Sequence, residues 1–307
     1  MPRNLSLVTK SRFLFGKECI MLELSKVRIV ADSSADLLVF DGVETAFAPL
    51  KIHTEEKEYV DTAALDVSAM THALSTYRGK ATTACPSMGD FLQAFGEAEY
   101  IFCLTMTSKL SATYTVALSA AREYAAQHPD RRVCVIDSRN TGPGMRLLAE
   151  KIVEWLREGM EFDEIEQRIN GYRFENELLF LLESLSNLAN SGRVSRTVAK
   201  IAGLLGIRML GRAVDGQIKP VAKPRGESKA LDTVFEQMLQ LGYCGGKVRI
   251  SHCENEFAAA ELADRIKKKF PEADIIHYPA RALCSFYAER GGLILGFEID
   301  DETGGLE

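Results

Sequence analysis

The first half of the sequence repeats one pattern three times: a short apolar run, a polar loop and then a helical segment. The apolar runs lie at residues 27–31, 100–105 and 132–137, and helical segments are predicted at about 114–126 and 145–158. Apolar runs that alternate with helices are typical of a parallel sheet whose two faces are both covered. The pattern therefore predicts an α/β fold for this half.

Polar residues follow each of these runs, at positions 32–34, 107–108 and 137–138, and they are Asp, Ser and Thr. In open parallel sheets, ligands gather outside the carboxyl ends of the strands. We therefore expect the binding site at this edge of the sheet.

The second half has a different order of predicted strands and helices. Predicted strands at residues 207–214 and 217–222 flank Asp215 and Gly216, and Asp-Gly is a strong hairpin signal. Further strands are predicted at 178–183, 247–251, 274–278 and 293–299, with a helix at 256–269. This half is predicted to be an α+β domain with a mostly antiparallel sheet.

The predicted organisation is thus an N-terminal α/β domain at residues 27–170 and a C-terminal α+β domain at residues 171–307. Residues 1–26 are expected to be a disordered extension, and residues 1–20 are expected to add nothing to the core. Their first 20 positions mix basic residues with short apolar patches and lack the continuous apolar stretch of a secretory signal. Met21 is a second candidate for the start of translation.

Composition excludes several classes of protein. The chain has 307 residues, 46% of them hydrophobic, and a net charge of −6. Nucleic-acid binding needs a concentrated basic face, so we expect no nucleic-acid partner. No segment reaches the ~18 uninterrupted apolar residues of a membrane helix, so we expect no stable membrane insertion.

The seven cysteines form no CxxC pair, and several lie within apolar runs. This usage is typical of reduced, buried thiols in a cytoplasmic protein and not of a disulfide framework or a zinc site.

The usual catalytic and metal-binding motifs are missing from the sequence. It contains neither GxxxxGK[ST] nor GxSxG. His252, Cys253 and Glu254 offer metal-ligating atoms, but side chains of adjacent strand residues alternate between faces and do not converge. We therefore predict no metal, no cofactor and no catalytic residues.

After these exclusions, residues with hydroxyl groups are the remaining candidates for a binding site. They follow apolar runs at Thr82, Thr83, Ser87, Ser108, Ser111, Thr113 and Ser138. Each alone is more typical of a helix cap than of a ligand contact. Together they suit an anion held by hydroxyls and by backbone N–H groups at helix N-termini, and a carboxylate fits such a neutral donor set.

Six segments, in order, resemble motifs of the DegV family, whose members include the fatty-acid-binding subunits of bacterial fatty acid kinases. They are DSSADL at 32–37, TACPS at 83–87, SKLSATY at 108–114, VIDS at 135–138, LANSGRV at 188–194, and GQIKP at 216–220 followed by KPR at 223–225. The resemblance runs from about residue 27 to residue 299 and so covers nearly the whole chain.

The resemblance implies that a long-chain fatty acid is bound with its tail buried and its carboxylate near the interdomain cleft. It implies that Thr83 and Ser111 hold the carboxylate and that Arg193 lies close to it. The sequence departs from the family in two places. Ala112 stands where the family usually has Gly, and Tyr287 stands where it usually has His. A phenol can also donate to a carboxylate.

We therefore expect a non-catalytic carrier, a cytoplasmic monomer that presents a fatty acid to an ATP-dependent fatty acid kinase subunit. Two alternatives remain open. One is a hydrolase or transferase that acts on a small acid or acyl substrate in the hydroxyl-rich interdomain cleft. The other is a DegV-like protein that binds another lipid or no longer couples to a kinase.

Overall fold

The computed structural model describes residues 22–36, 39–202 and 206–300. The strands are β1 (Val27–Asp32), β2 (Glu44–Ala48), β3 (Lys51–His53), β4 (Glu58–Val60), β5 (Thr82–Ala84), β6 (Tyr100–Thr105), β7 (Arg132–Asp137), β8 (Asn176–Leu182), β9 (Met209–Val214), β10 (Gln217–Ala222), β11 (Val248–His252), β12 (Ile275–Pro279) and β13 (Leu293–Glu298). The helices are α1 (Val67–Thr76), α2 (Met88–Phe95), α3 (Thr113–Gln127), α4 (Pro143–Arg157), α5 (Phe162–Tyr172), α6 (Ser186–Asn190), α7 (Arg196–Ala202), α8 (Glu227–Gln240), α9 (Glu256–Lys269) and α10 (Ala282–Ala288).

The predicted extension lies mostly outside this description, because residues 1–21 are not among the described ones. Its last part is described: Leu24–Lys26 form a short 3-10 helix directly before β1. Leu22 and Leu24 pack against the core beneath the first sheet.

The first sheet has the strand order β2-β1-β6-β7, and every pairing in it is parallel. Alternate residues of β6 face opposite sides, so that Ile101 packs toward α2 and α3 while Phe102 packs toward α4 and α5. Because both faces are covered, these strands are apolar almost throughout, which is the signal that made them predictable.

The second sheet has the order β10-β9-β8-β13-β11-β12, with all pairings antiparallel except β11 with β12. The hairpin of β9 and β10 turns at Asp215 and Gly216 as predicted. Leu179 and Leu181 of β8 pack beneath α8 and α9, whereas Leu178, Phe180 and Leu182 face the opposite side. The predicted fold class, a parallel α/β region followed by a mostly antiparallel α+β region, is confirmed.

A third, small sheet was not predicted. It has the order β4-β3-β5, each strand is three residues long, and α1 lies between β4 and β5 in the chain. Strands this short carry too few residues to reveal an alternating pattern. The expectation that Thr83 follows an apolar run in a loop or at a helix start is therefore wrong, because Thr83 lies within β5 and pairs with Ile52.

No helix in the described parts of the chain combines the length and the apolar character that crossing a bilayer requires.

The two halves are joined through α10, which belongs to the second half but begins on carboxylates of the first. The backbone N–H of Arg281 donates to Asp36 Oδ1 over 2.7 Å. The N–H groups of Ala282 and Leu283 donate to the two carboxylate oxygens of Asp61 over 3.3 and 3.2 Å. Both aspartates are buried. Buried carboxylates that accept these bonds fix where α10 starts.

Burial also changes the protonation of these groups. It raises the pKa of Asp36 from 3.8 to about 7, with the charge of Asp61 adding to the rise and the Arg281 hydrogen bond opposing it. The pKa of Asp61 is raised as well, mainly by burial. A carboxyl whose pKa is higher in the folded state stabilises the fold while it is protonated, so for Asp36 that contribution is fully present below the ordinary pKa of 3.8 and is lost as the pH rises from there through about 7.

We predict that the free energy of unfolding of Asp36→Asn falls less than that of the wild type as the pH rises from about 5 to about 8. The amide stays neutral, so between about pH 5 and about pH 8 the unfolding free energy of the wild type should fall relative to that of the variant by on the order of 2 kcal/mol. Denaturant titrations at both pH values measure this difference. The exposed control Asp130→Asn should follow the wild type, and parallel pH profiles for Asp36→Asn and the wild type would contradict the prediction.

Candidate functional site

An apolar cavity lies between one face of the second sheet, α10 and loops of the first half of the chain. Its apolar lining comes from both halves of the chain: Met106, Leu110, Leu178, Phe180, Leu182, Leu188, Ala213, Ile218, Leu283, Ala288 and Ile294. The face of β8 that carries Leu178, Phe180 and Leu182 thus forms part of the cavity wall.

Cys284 lines the same cavity without adding charge. Its Sγ donates to the carbonyl of Ser34 over 3.3 Å, and burial raises the pKa of its thiol well above the ordinary value. The side chain therefore remains a neutral thiol.

A second chamber adjoins the apolar cavity, and we call it the head-group chamber. The two share the lining residues Met106, Leu110, Arg193, Leu283 and Tyr287. All five residues singled out from the sequence line this chamber: Thr83, Ser111, Ala112, Arg193 and Tyr287. The structure therefore brings together residues that lie up to about 200 positions apart in the chain.

Thr83 and Tyr287, from the two halves of the chain, are in direct contact. Thr83 Oγ1 lies 2.8 Å from Tyr287 Oη, and either hydroxyl can be the donor. One group comes from β5 and the other from α10, which the carboxylates of Asp36 and Asp61 hold in place. The hydroxyl of Tyr287 thus stands in the chamber where the resemblance predicts a head-group contact.

Ser111 lies in the loop that leads into α3. Its Oγ lies 2.8 Å from Thr113 Oγ1 and accepts a hydrogen bond from the Thr113 N–H over 3.3 Å. Ala112 is the N-cap residue of α3 and provides no side-chain capping bond. Ser111 and Ala112, which directly precede this 15-residue helix, therefore both line the chamber, and Ser111 brings one hydroxyl to it.

Arg193 supplies positive charge to the chamber. Its guanidinium carbon lies 5.0 Å from the centre of the Tyr287 ring, a cation–π arrangement. Its Nε is buried and has no hydrogen-bond partner among the described residues. A guanidinium nitrogen in this position suits a carboxylate, because the two groups form charge-assisted hydrogen bonds.

Three other hydroxyls from the predicted set serve the scaffold instead. Ser87 caps α2 with a reciprocal bond to Asp90. Ser108 binds Asp137 through both its backbone N–H and its Oγ. Ser138 is buried and donates to the carbonyl of Asn140 over 3.1 Å. The prediction that these loops act together on one anion is wrong for these three residues.

Several chamber residues were not predicted, among them Leu50, Cys85, Met106, Leu110 and Leu283. They are apolar or small, and nothing in their local sequence separates them from core residues. Met106 is placed by the first strand: its N–H donates to Asp32 Oδ2 over 2.6 Å, and Asp32 is fully buried at the end of β1. Burial raises the pKa of Asp32 to about 6.

Comparison with known proteins agrees with the resemblance seen in the motifs. The family model described as "Uncharacterised protein, DegV family" matches residues 26–298. A DegV domain-containing protein of Streptococcus pneumoniae is 37% identical over 278 residues, which are 89% of this chain and 99% of that relative.

Two solved structures are similar over nearly their whole length. A DegV family protein from Eubacterium eligens, loaded with heptadecanoic acid, is 41% identical with a TM-score of 0.88, covering 89% of this chain and 100% of its own. The Streptococcus pneumoniae Fatty Acid Kinase (Fak) B3 protein, loaded with linoleic acid, is 36% identical with a TM-score of 0.87, covering 89% and 99%. The chain therefore belongs to the DegV family.

Proposed function

We propose that this protein binds a long-chain fatty acid, with the tail in the apolar cavity and the carboxylate in the head-group chamber. The observation that carries the proposal is that the two spaces adjoin and share five lining residues. An almost entirely apolar lining leads, through shared residues, to a chamber that holds Thr83, Ser111, Arg193 and Tyr287. The fatty acids in the structures of two similar proteins support it.

The energetics favour a carrier of an acyl chain. Burying ~15 methylenes at ~0.8 kcal/mol each releases ~12 kcal/mol before the cost of association. The carboxylate then needs only to keep its hydrogen bonds on leaving water. Hydroxyls, one guanidinium and the start of α3 are sufficient for that.

We further propose that the bound carboxylate is presented to an ATP-dependent fatty acid kinase subunit, and that this protein acts as a cytoplasmic monomer without catalysing the transfer. The similarity to a protein named as part of a fatty acid kinase supports this step. The phosphoryl donor would belong to the partner.

The rival hypothesis, an acyl hydrolase or transferase, requires a general base near the hydroxyls. The described lining of the head-group chamber includes the thiol of Cys85 but no imidazole, amine or carboxylate. The carrier hypothesis needs no such group and fits this lining better.

We predict that the purified protein carries a fatty acid in stoichiometric amount, because a buried chain of this size dissociates slowly from an apolar cavity. Mass spectrometry of the extracted lipid and titration of the delipidated protein with fatty acids measure it. An extract without acyl chains, together with no binding of added fatty acid, would contradict the proposal. Sustained turnover of acyl esters would favour the rival hypothesis.

We predict that removing both hydroxyls, as Thr83→Ala with Ser111→Ala, weakens fatty-acid binding by about ten- to a hundredfold. A lost hydrogen bond to a charged group costs ~1–3 kcal/mol, and ~1.4 kcal/mol is tenfold in affinity. We expect the lower part of that range because water can enter the chamber. Tyr287→Phe should show a smaller loss of the same kind. Titration of the delipidated variants measures each affinity.

The melting temperature of the lipid-free protein separates binding from scaffold roles. A residue that only supports α3 or β5 would lower the melting temperature by the equivalent of ~1 kcal/mol and leave affinity unchanged. The control Ser119→Ala removes a hydroxyl of α3 that bonds only to the carbonyl of Thr115 among the described residues, and it should alter neither quantity. Intact binding in both alanine variants would remove Thr83 and Ser111 from the site.

A further inference from the structure

A polar cleft adjoins the apolar cavity at residues other than those that the cavity shares with the head-group chamber. The cavity and the cleft share a wall, which we call the distal wall and which consists of Arg139, Asn140, Leu178, Ala213 and Gly216. Among the described residues, none that lines the head-group chamber also lines the cleft. The three spaces are therefore arranged in series, with the apolar cavity in the middle.

The distal wall closes where the tip of the β9–β10 hairpin meets the first domain. Thr107 Oγ1 donates to the carbonyl of Gly216 over 3.1 Å. The fit is close, since a Cβ on Gly216 would lie 2.1 Å from Thr107 Oγ1, and the φ of +73° also favours glycine. Next to this contact, the guanidinium of Arg139 forms an ion pair with Asp215.

The two sides of this wall differ sharply in chemistry. On the cavity side the lining is apolar up to Leu178, Ala213 and Ile218. On the cleft side it includes Arg173 and the ion pair of Arg212 with Glu177. An acyl chain that passed the wall would leave apolar surface and meet charged groups, among them Arg139 and its partner Asp215.

We propose that the ion pair of Arg139 with Asp215 sets the length of acyl chain that this protein accepts. The inference rests on the proposed function, because it concerns the tail end of the same bound fatty acid. Each methylene added inside the cavity strengthens binding by up to about fourfold. Affinity therefore rises with chain length until the methyl end meets the distal wall, and longer chains gain nothing.

The pair can be removed without threatening the fold. The Arg139 and Asp215 side chains are 31% and 77% exposed, and ion pairs this exposed contribute little to stability. Removing the arginine also uncovers the ring of Phe174, over which its guanidinium lies at 4.6 Å. That ring offers apolar surface to a chain that extends through the opened wall.

The test measures the affinity of the delipidated protein for saturated straight-chain fatty acids from dodecanoic to docosanoic acid. For the wild type we expect a rise with length followed by a break. Arg139→Ala should move the break to longer acids and tighten their binding at least fourfold, which is the gain from one further methylene. Dodecanoic acid, which is too short to reach the wall, should bind as before.

Asp215→Asn is a second variant that removes the charge while keeping a residue tolerant of the positive φ of 51° in the turn. It should shift the break in the same direction. The matched control is Arg132→Ala, because Arg132 also pairs with an aspartate, Asp163, and also lies over a phenylalanine ring, at 4.4 Å, but is remote from the cavity. The control should keep the wild-type break.

A break at the same chain length in the wild type, Arg139→Ala and Asp215→Asn would overturn the proposal while leaving fatty-acid binding in place. An equal shift in Arg132→Ala would overturn it too, because the effect would then not be specific to the wall. If no acid of any length bound to the wild type, the proposed function itself would fail, and the role of the distal wall with it.

Discussion

The helix α10 is the part on which both cavities depend, and two buried carboxylates hold it. Its first turn bonds to Asp61 of the first domain, and the residue before it bonds to Asp36. From this fixed start, Leu283 and Tyr287 reach both the apolar cavity and the head-group chamber. Burying two carboxylates costs free energy, and burial raises the pKa of both groups. The hydrogen bonds that the two carboxylates accept from the start of α10 offset part of this cost.

In the proposed function, two kinds of surface contribute to binding in different ways. The apolar cavity supplies affinity but does not orient the ligand. The free energy gained by burying methylenes is proportional to the apolar area buried and does not depend on orientation. In the proposed complex, direction comes from the two ends: hydroxyls and Arg193 at one, and the ion pair of Arg139 with Asp215 at the other. A molecule with one charged end and one apolar end fits this arrangement in a single orientation.

Much of the fold and part of the candidate site could be predicted from the sequence. The features that could not be predicted have a physical reason in common. The buried parallel strands, the hairpin at Asp215 and Gly216 and the helix Glu256–Lys269 have strong local signals of apolarity, turn chemistry or periodicity. The five residues around the head-group chamber came from motif resemblance and not from local pattern. The short strands β3, β4 and β5 have no such signal, so the contact of Thr83 with Tyr287 is visible only in three dimensions. The apolar lining of the cavity was also hidden, because a residue that faces a ligand has the same character as one that faces the core.

The orientation of the bound molecule tests the central claim most directly. A crystal structure of the protein grown with heptadecanoic acid would show it. The account predicts electron density for the tail along Phe180 and Leu283, with the carboxylate within hydrogen-bond distance of Thr83 and Ser111. A carboxylate at Arg139 with the methyl end in the head-group chamber, or a fatty acid bound outside both cavities, would contradict it.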